Sequence, residues 1–158
     1  MPLTISSSSP EQTARVAAAL ASSLCGGDCL SLIGDLGAGK TQFVAGLASA
    51  LGAHEPVHSP TFNLVNVYST QRMPIYHADF YRLESEEELL AIGWEDYLDG
   101  RGLLLVEWGD RFQEALPLDC LQIELRRIDH NQRLLLVTAS GRRSREIEEA
   151  WADALASS

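Results

Sequence analysis

Apolar and polar positions change period several times along the chain, and each change predicts an element. Ser9, Pro10 and Gln12 read as a helix entrance, with serine at the N-cap, proline in the first turn and glutamine completing a capping box. Val16, Leu20 and Leu24 then recur at helical spacing and Gly26 suits a C-cap, so the pattern predicts one helix across this stretch. Cys29 to Ile33 is a short apolar run between turn signals, the pattern of a buried strand. A glycine-rich loop follows from Gly34 to Gly39. From Lys40, the spacing of Phe43, Val44, Leu47, Ala48 and Leu51 predicts an amphipathic helix that Gly52 stops.

The middle of the chain reads differently. Phe62 to Tyr68 and Pro74 to Phe80 are strand-like and are separated by the polar link Ser69-Thr70-Gln71-Arg72, which predicts an antiparallel hairpin. Ser85 with Glu88 forms a second capping box, opening a short acidic helix that Gly93 ends. Asp99-Gly100 is a turn, and Leu103 to Val106 is a fully apolar strand ending at Glu107. Leu121, Ile123 and Leu125 alternate with polar neighbours, and a turn at Asp129-His130-Asn131 leads to Leu134 to Val137, a second hairpin. From Ser144 onward, Ile147, Trp151 and Leu155 mark a closing helix. The sum is an α/β fold in one domain over residues 1–158, and the succession of buried strand, glycine-rich loop Gly34 to Gly39 and amphipathic helix from Lys40 makes it P-loop NTPase-like. Its expected sheet is mixed, with parallel central strands, antiparallel hairpins and flanking helices.

Composition narrows the function classes. At 158 residues with 46% apolar and 22% charged positions, the chain is long enough to bury one core. No apolar run reaches membrane-spanning length and the start lacks the pattern of a signal peptide, so the expected location is the cytoplasm. Cys25, Cys29 and Cys120 have neither CxxC nor zinc-site spacing and are expected to be buried reduced thiols. The formal charge of −10 predicts repulsion of nucleic acid over most of the surface. The twelve basic residues are eleven arginines and one lysine, Lys40.

That lysine lies in Gly34-Asp35-Leu36-Gly37-Ala38-Gly39-Lys40-Thr41, which matches GxxxxGK[ST] in full. Glycines there permit backbone angles that point successive N–H groups at phosphate oxygens, and the following helix adds its unpaired N-terminal amides. Lys40 supplies a mobile charge for the β- and γ-phosphates, and the Thr41 hydroxyl is a magnesium ligand. A preceding apolar strand and a following amphipathic helix give the motif its proper context. Glu107, at the end of the 103–106 run, is a candidate for the second acidic group at the metal, though a strand-end carboxylate facing water is the blander alternative. Recognition of guanine by Asn-Lys-x-Asp is excluded, because it needs a second lysine.

Four segments together resemble the TsaE (YjeE) family, the small ATPases of bacterial tRNA threonylcarbamoyladenosine (t6A) synthesis: GDLGAGKTQF from Gly34, SPTF from Ser59, YHADFYRL from Tyr76 and LLVEW from Leu104. Their order and spacing cover nearly the whole chain. The resemblance implies ATP and Mg2+ as cofactors, ATP hydrolysis that is slow until partners bind, and partners of the TsaB and TsaD type that carry out threonylcarbamoylation of tRNA adenosine 37. It implies tRNA contact only through that complex and none with membrane. By position, it implies nucleotide contacts from Gly34, Gly37, Ala38, Gly39, Lys40, Thr41, Gln42 and Trp108. The metal ligands it implies are Thr41 and Glu107, and the residues needed for activity are Asp79, Lys40 and Thr61, with Thr61 in a loop resembling a γ-phosphate sensor. Two positions depart from the family: Gln42 stands where a second threonine is usual, and Gln132 precedes Arg133 where Gly-Arg is common.

Strand alternation puts His77 and Asp79 on one face, where Asp79 could orient the attacking water or accept its proton; the alternative is a local ion pair with Arg82. His77 and His58 are given no catalytic role, a lone histidine being more often structural. Arg126, Arg127, Arg133, Arg142, Arg143 and Arg145 form either a solvated surface or a docking face for an acidic partner or a tRNA backbone. Two further functions fit the same loop: a small-molecule kinase, and a nucleotide-gated docking module without significant turnover.

Overall fold

The computed structural model describes residues 3–35, 37–60 and 64–157. Seven strands form one sheet: β1 (Leu3–Ser7), β2 (Cys29–Ile33), β3 (Val65–Tyr68), β4 (Ile75–Asp79), β5 (Leu103–Glu107), β6 (Leu121–Arg127) and β7 (Arg133–Ala139). Their order is β1-β7-β6-β2-β5-β4-β3. The four central strands, β6, β2, β5 and β4, run parallel, while β7, β1 and β3 add on antiparallel at the two sides. The sequence explains this division. In β5 all five residues are buried, the continuous apolar run of a strand covered on both faces, whereas β6 alternates buried and half-buried positions.

Four helices accompany the sheet: α1 (Pro10–Ala18), α2 (Lys40–Ala50), α3 (Glu86–Ala91) and α4 (Arg142–Ala156). On one face Leu30, Leu32, Leu103, Leu105, Leu121 and Ile123 pack against α1, α2 and α4. Trp151 of α4 meets Phe43 of α2 edge-on at 6.0 Å, and its indole N–H donates to the Val16 carbonyl at 2.9 Å, joining three helices at one point. The helices α1 and α2 lie so close at Gly46 that an added Cβ would stand 2.4 Å from the Ala14 carbonyl oxygen. On the other face Cys29, Leu104, Val106 and Cys120 lie under a thinner cover of Phe80, Leu83, Leu89 and Trp94.

Several boundaries differ from the sequence reading. The first helix ends at Ala18; Leu20 and Leu24 are fully buried beyond it, on either side of a 3-10 turn at Ala21–Ser23. Gly26 is no helix cap: it lies beyond both the helix and the turn, where a Cβ would stand 2.4 Å from the Arg101 carbonyl oxygen. At the entrance Ser9 does cap Gln12, but the Gln12 side chain accepts from the Ser8 amide instead of closing a box on Ser9. Ser85 occupies the N-cap of α3 without a side-chain capping bond, and Glu88 accepts from the Glu84 amide. The closing helix starts at Arg142, where Asp119 accepts from the Arg143 and Ser144 amides. Strand β1 has no counterpart in the sequence reading. Cys29 and Cys120 are buried with their sulfurs 3.0 Å apart, but Cys25 is exposed, against expectation. No helix among the described residues is long and apolar enough to cross a membrane.

Candidate functional site

The glycine-rich loop joins the end of β2 to the start of α2 and is shaped by two close constraints. Gly34 lies against β6, where a Cβ would stand 2.5 Å from the Leu125 carbonyl oxygen. Gly39 is the N-cap of α2 with φ of 104°, a conformation that costs other residues but not glycine. The Gly39 carbonyl accepts the first helical bond, from Phe43, so the Lys40, Thr41 and Gln42 amides have no acceptor within the helix, while the Ala38 amide donates to the Asp35 carbonyl at 3.0 Å. Arg133 of β7 braces the loop from outside, its guanidinium donating to the carbonyls of Ala38 at 3.1 Å and Gly37 at 3.3 Å.

Lys40 is buried, with its ammonium folded back onto the Gly34 carbonyl and onto that of Asp35 at 3.2 Å. The same ammonium lies 4.5 Å from the centre of the Trp108 ring, a cation–π distance. Burial lowers the Lys40 pKa, while the negative charges of Glu107, Asp79, Asp35 and Asp110 work in the opposite direction. The negative charge of four carboxylates therefore acts on the one lysine. Trp108 is held by its backbone amide, which donates to the Leu32 carbonyl at 2.9 Å, and by the Tyr81 ring at 4.9 Å. It adopts φ of 59°, a left-handed angle uncommon for a bulky side chain.

Glu107 is the register partner of Leu32 across β2 and β5, and of Asp79 across β5 and β4. Alternation carries it to the face of Leu103 and Leu105, the face on which α2 lies. It is only 3% exposed, which removes the water-facing alternative, and Nε2 of His77 lies 2.5 Å from its Oε2. Nδ1 of His77 in turn meets the Tyr68 hydroxyl at 2.8 Å, and that hydroxyl donates to the His58 carbonyl at 3.0 Å. Asp79 is half-buried, with Oδ1 accepting from the Tyr81 amide at 2.9 Å. Burial pushes its carboxyl upward, with Glu107 adding to the rise and the Tyr81 amide opposing it. Among the described residues Asp79 makes no ion pair with Arg82.

Thr41 and Gln42 open α2 on the exposed side, and the Thr41 hydroxyl lies 3.3 Å from that of Ser59. Thr61 lies outside the described residues. A cleft of about 570 Å³ opens beside the loop, lined by Gly34, Ala38, Trp108, Asp110, Glu124 and Arg126 among others. Hard oxygen donors from Thr41 and Glu107 suit magnesium, which keeps a few protein ligands and fills its shell with phosphate and water. No cluster of three or more His, Cys, Asp or Glu able to hold a metal by itself occurs among the described residues, so a metal here would need the phosphates.

The fold thus gathers Gly34, Gly37 to Gln42, Asp79, Glu107 and Trp108 around one loop. Residues left unassigned by the sequence join them: His77 and Tyr68, thirty and thirty-nine positions from Glu107 along the chain, and Arg133 on the far hairpin. The HxD spacing was a usable signal for His77; nothing local marks Tyr68. The C-terminal arginines are mostly engaged. Arg143 makes a two-pronged pair with Asp28 at 2.9 Å, Arg126 pairs with Glu124, and Arg127 donates to the Asp129 carbonyl.

Comparison with known proteins adds the following. Residues 7–135 match the model of the family described as threonylcarbamoyl adenosine biosynthesis protein TsaE. The chain is 43% identical over 134 residues to the tRNA threonylcarbamoyladenosine biosynthesis protein TsaE of Bacillus subtilis, covering 85% of this chain and 84% of that relative. It is 40% identical over 131 residues to the same-named protein of Treponema pallidum, covering 83% and 96%. The crystal structure of YdiB from Bacillus subtilis superposes with a TM-score of 0.81 at 34% identity, covering 97% of this chain and 95% of that one. The mixed sheet with parallel central strands and its glycine-rich loop form a P-loop NTPase fold.

Proposed function

The chain belongs to the TsaE family, whose members take part in t6A biosynthesis, and from that premise we propose that it is a magnesium-dependent ATP-binding protein and ATPase acting in the cytoplasm. Its turnover supports threonylcarbamoylation of tRNA adenosine 37 by a complex with TsaB- and TsaD-type subunits, and it meets tRNA only through that complex. The observation that carries the ATP reading is Lys40, buried at the glycine-rich loop with its ammonium on the Gly34 and Asp35 carbonyls and 4.5 Å from the Trp108 ring centre.

In this reading the loop amides and the N-terminus of α2 bind the phosphates, and Lys40 leaves the Gly34 and Asp35 carbonyls for the β- and γ-phosphate oxygens. The nucleoside takes the cleft beside Trp108. Thr41 and Glu107 would hold the magnesium, which when bound neutralises charge on the phosphates. Asp79 orients a water whose oxygen bonds the γ-phosphorus as the bond to the β–γ bridging oxygen breaks. Its carboxylate accepts the water's proton and later releases it to solvent. A half-buried carboxylate with a raised pKa suits that task better than an ordinary surface aspartate.

The test is calorimetric titration of the purified protein with ATP and magnesium, followed by phosphate release with and without TsaB- and TsaD-type partners. Binding, slow release alone and faster release with partners are the expected results. Absence of heat at millimolar ATP would overturn the nucleotide reading. Binding without release in any mixture would leave a docking module in its place.

A further inference from the structure

The two proposed metal ligands, Thr41 and Glu107, come from different elements, yet hydrogen bonds connect them through the protein. From Thr41 the chain of contacts runs to the Ser59 hydroxyl at 3.3 Å. One residue back, the His58 carbonyl accepts the Tyr68 hydroxyl at 3.0 Å, and the His58 amide reaches the same hydroxyl at 3.4 Å. Tyr68 meets Nδ1 of His77 at 2.8 Å, and Nε2 of His77 meets Oε2 of Glu107 at 2.5 Å. His77 is fully buried, Tyr68 is 2% exposed and Glu107 3%, so water does not compete along this stretch. Asn66 reinforces the loop end by donating to the His58 carbonyl at 3.0 Å.

We propose that Tyr68 and His77 are positioning residues that set the orientation of the Glu107 carboxylate and the place of the His58-Ser59 backbone together, as one unit. The proposal rests on the reading of Thr41 and Glu107 as metal ligands. The physical reason lies in the geometry of a buried imidazole. With both ring nitrogens engaged, His77 cannot rotate without losing two bonds in a dry interior, so one Glu107 oxygen is fixed and the other is aimed. Tyr68 shares one hydroxyl between that ring and the loop carbonyl. Displacement of the segment leading into Thr61 is therefore felt at Glu107, and a change at Glu107 is felt at the segment.

The link can be read without nucleotide. Hydrogen exchange of the His58 and Ser59 amides is measured in the wild type, Tyr68→Phe, Glu107→Gln and the double variant. Each single substitution should speed exchange several-fold, and the double should be no faster than Tyr68→Phe alone, because the route is already cut. Wild-type exchange in Glu107→Gln, or additive effects, would overturn the coupling. A second arm measures ATP affinity in EDTA and across a magnesium series. Tyr68→Phe and His77→Leu should leave metal-free affinity unchanged and raise the magnesium requirement about tenfold, with His77→Gln restoring part of it through its side-chain N–H. Wild-type magnesium dependence in Tyr68→Phe would overturn the role toward Glu107. Tyr68→Phe keeps the ring and its packing, so this arm survives even where His77→Leu fails to fold. A wild-type protein that binds no ATP would sink the function proposed above, while the exchange arm would still decide the link.

Discussion

Asp79 and Glu107 are register partners on adjacent parallel strands, and each is the last residue of its strand. Their surroundings differ. Glu107 is buried and held by an imidazole, while Asp79 is half-buried and, among the described residues, held by the Tyr81 amide. Two carboxylates side by side in unlike environments suit the two tasks proposed for them, metal binding for Glu107 and water activation for Asp79.

Asp79→Asn separates those tasks. ATP binding should persist, while phosphate release should fall by about 10²- to 10⁴-fold, the range for losing a general base. Unchanged release would remove Asp79 from the mechanism. The same variant has a stability signature in metal-free protein. A carboxyl whose folded pKa is raised by burial binds protons more tightly folded than unfolded, so its contribution turns unfavourable as pH rises above the ordinary carboxylate value of about 4. Asp79→Asn should therefore melt higher than wild type at neutral pH, with the gap closing below about pH 4.

Lys40→Ala should weaken ATP binding by about 10- to 100-fold, the cost of losing charged hydrogen bonds to phosphate. Trp108 offers a second readout. Its ring carries the Lys40 ammonium at 4.5 Å, so withdrawal of that charge toward ATP should change indole emission. Trp94 and Trp151 are buried in the two packed layers and supply a constant background. An ATP-dependent emission change that survives Lys40→Ala would show that the lysine is not its source.

Gly46→Ala tests the contact between α1 and α2. The new methyl would meet the Ala14 backbone at 2.4 to 2.8 Å, and backbone on a packed helix yields poorly. Destabilisation of about 1–3 kcal/mol in denaturant unfolding is expected, the usual cost of overpacking. Wild-type stability would mean that the two helices can part at no cost.

Asp119 is the N-terminal clasp of α4. Desolvation raises its carboxyl, but the hydroxyl and amide of Ser144 and the Arg143 amide outweigh that and hold it below its usual value. A lowered acid pKa stabilises the fold fully above about pH 4, and that support is lost as pH falls through the lower folded value. Asp119→Ala should cost about 1 kcal/mol at neutral pH, as for other helix caps, and progressively less under acid. An equal loss at pH 2 and pH 7 would contradict this.

The local parts of the fold were legible in the chain. Strand β2, the glycine loop and α2 follow from an apolar run, a phosphate motif and a helical stripe placed end to end, and both hairpins follow from alternation around polar turns. Strand β1 was hidden because only Leu3 and Ile5 stand out in a serine-rich stretch whose Ser9-Pro10 reads as a helix start. Helix α1 was overdrawn because Leu20 and Leu24 keep helical spacing through a 3-10 turn, which spacing cannot distinguish. The pairing of His77 with Glu107 depends on β4 lying parallel beside β5, a relationship set by topology between residues thirty positions apart. Likewise the cap of α4 comes from Asp119, across a whole hairpin, and no local motif could disclose it.

Lys40 closes its own loop, its ammonium resting on the Gly34 and Asp35 carbonyls. Two main-chain oxygens and an indole face already satisfy the ammonium, so arrival of a ligand is a substitution at an occupied seat. An anion that displaces it has to provide more than charge. Orthophosphate alone should therefore be a feeble inhibitor.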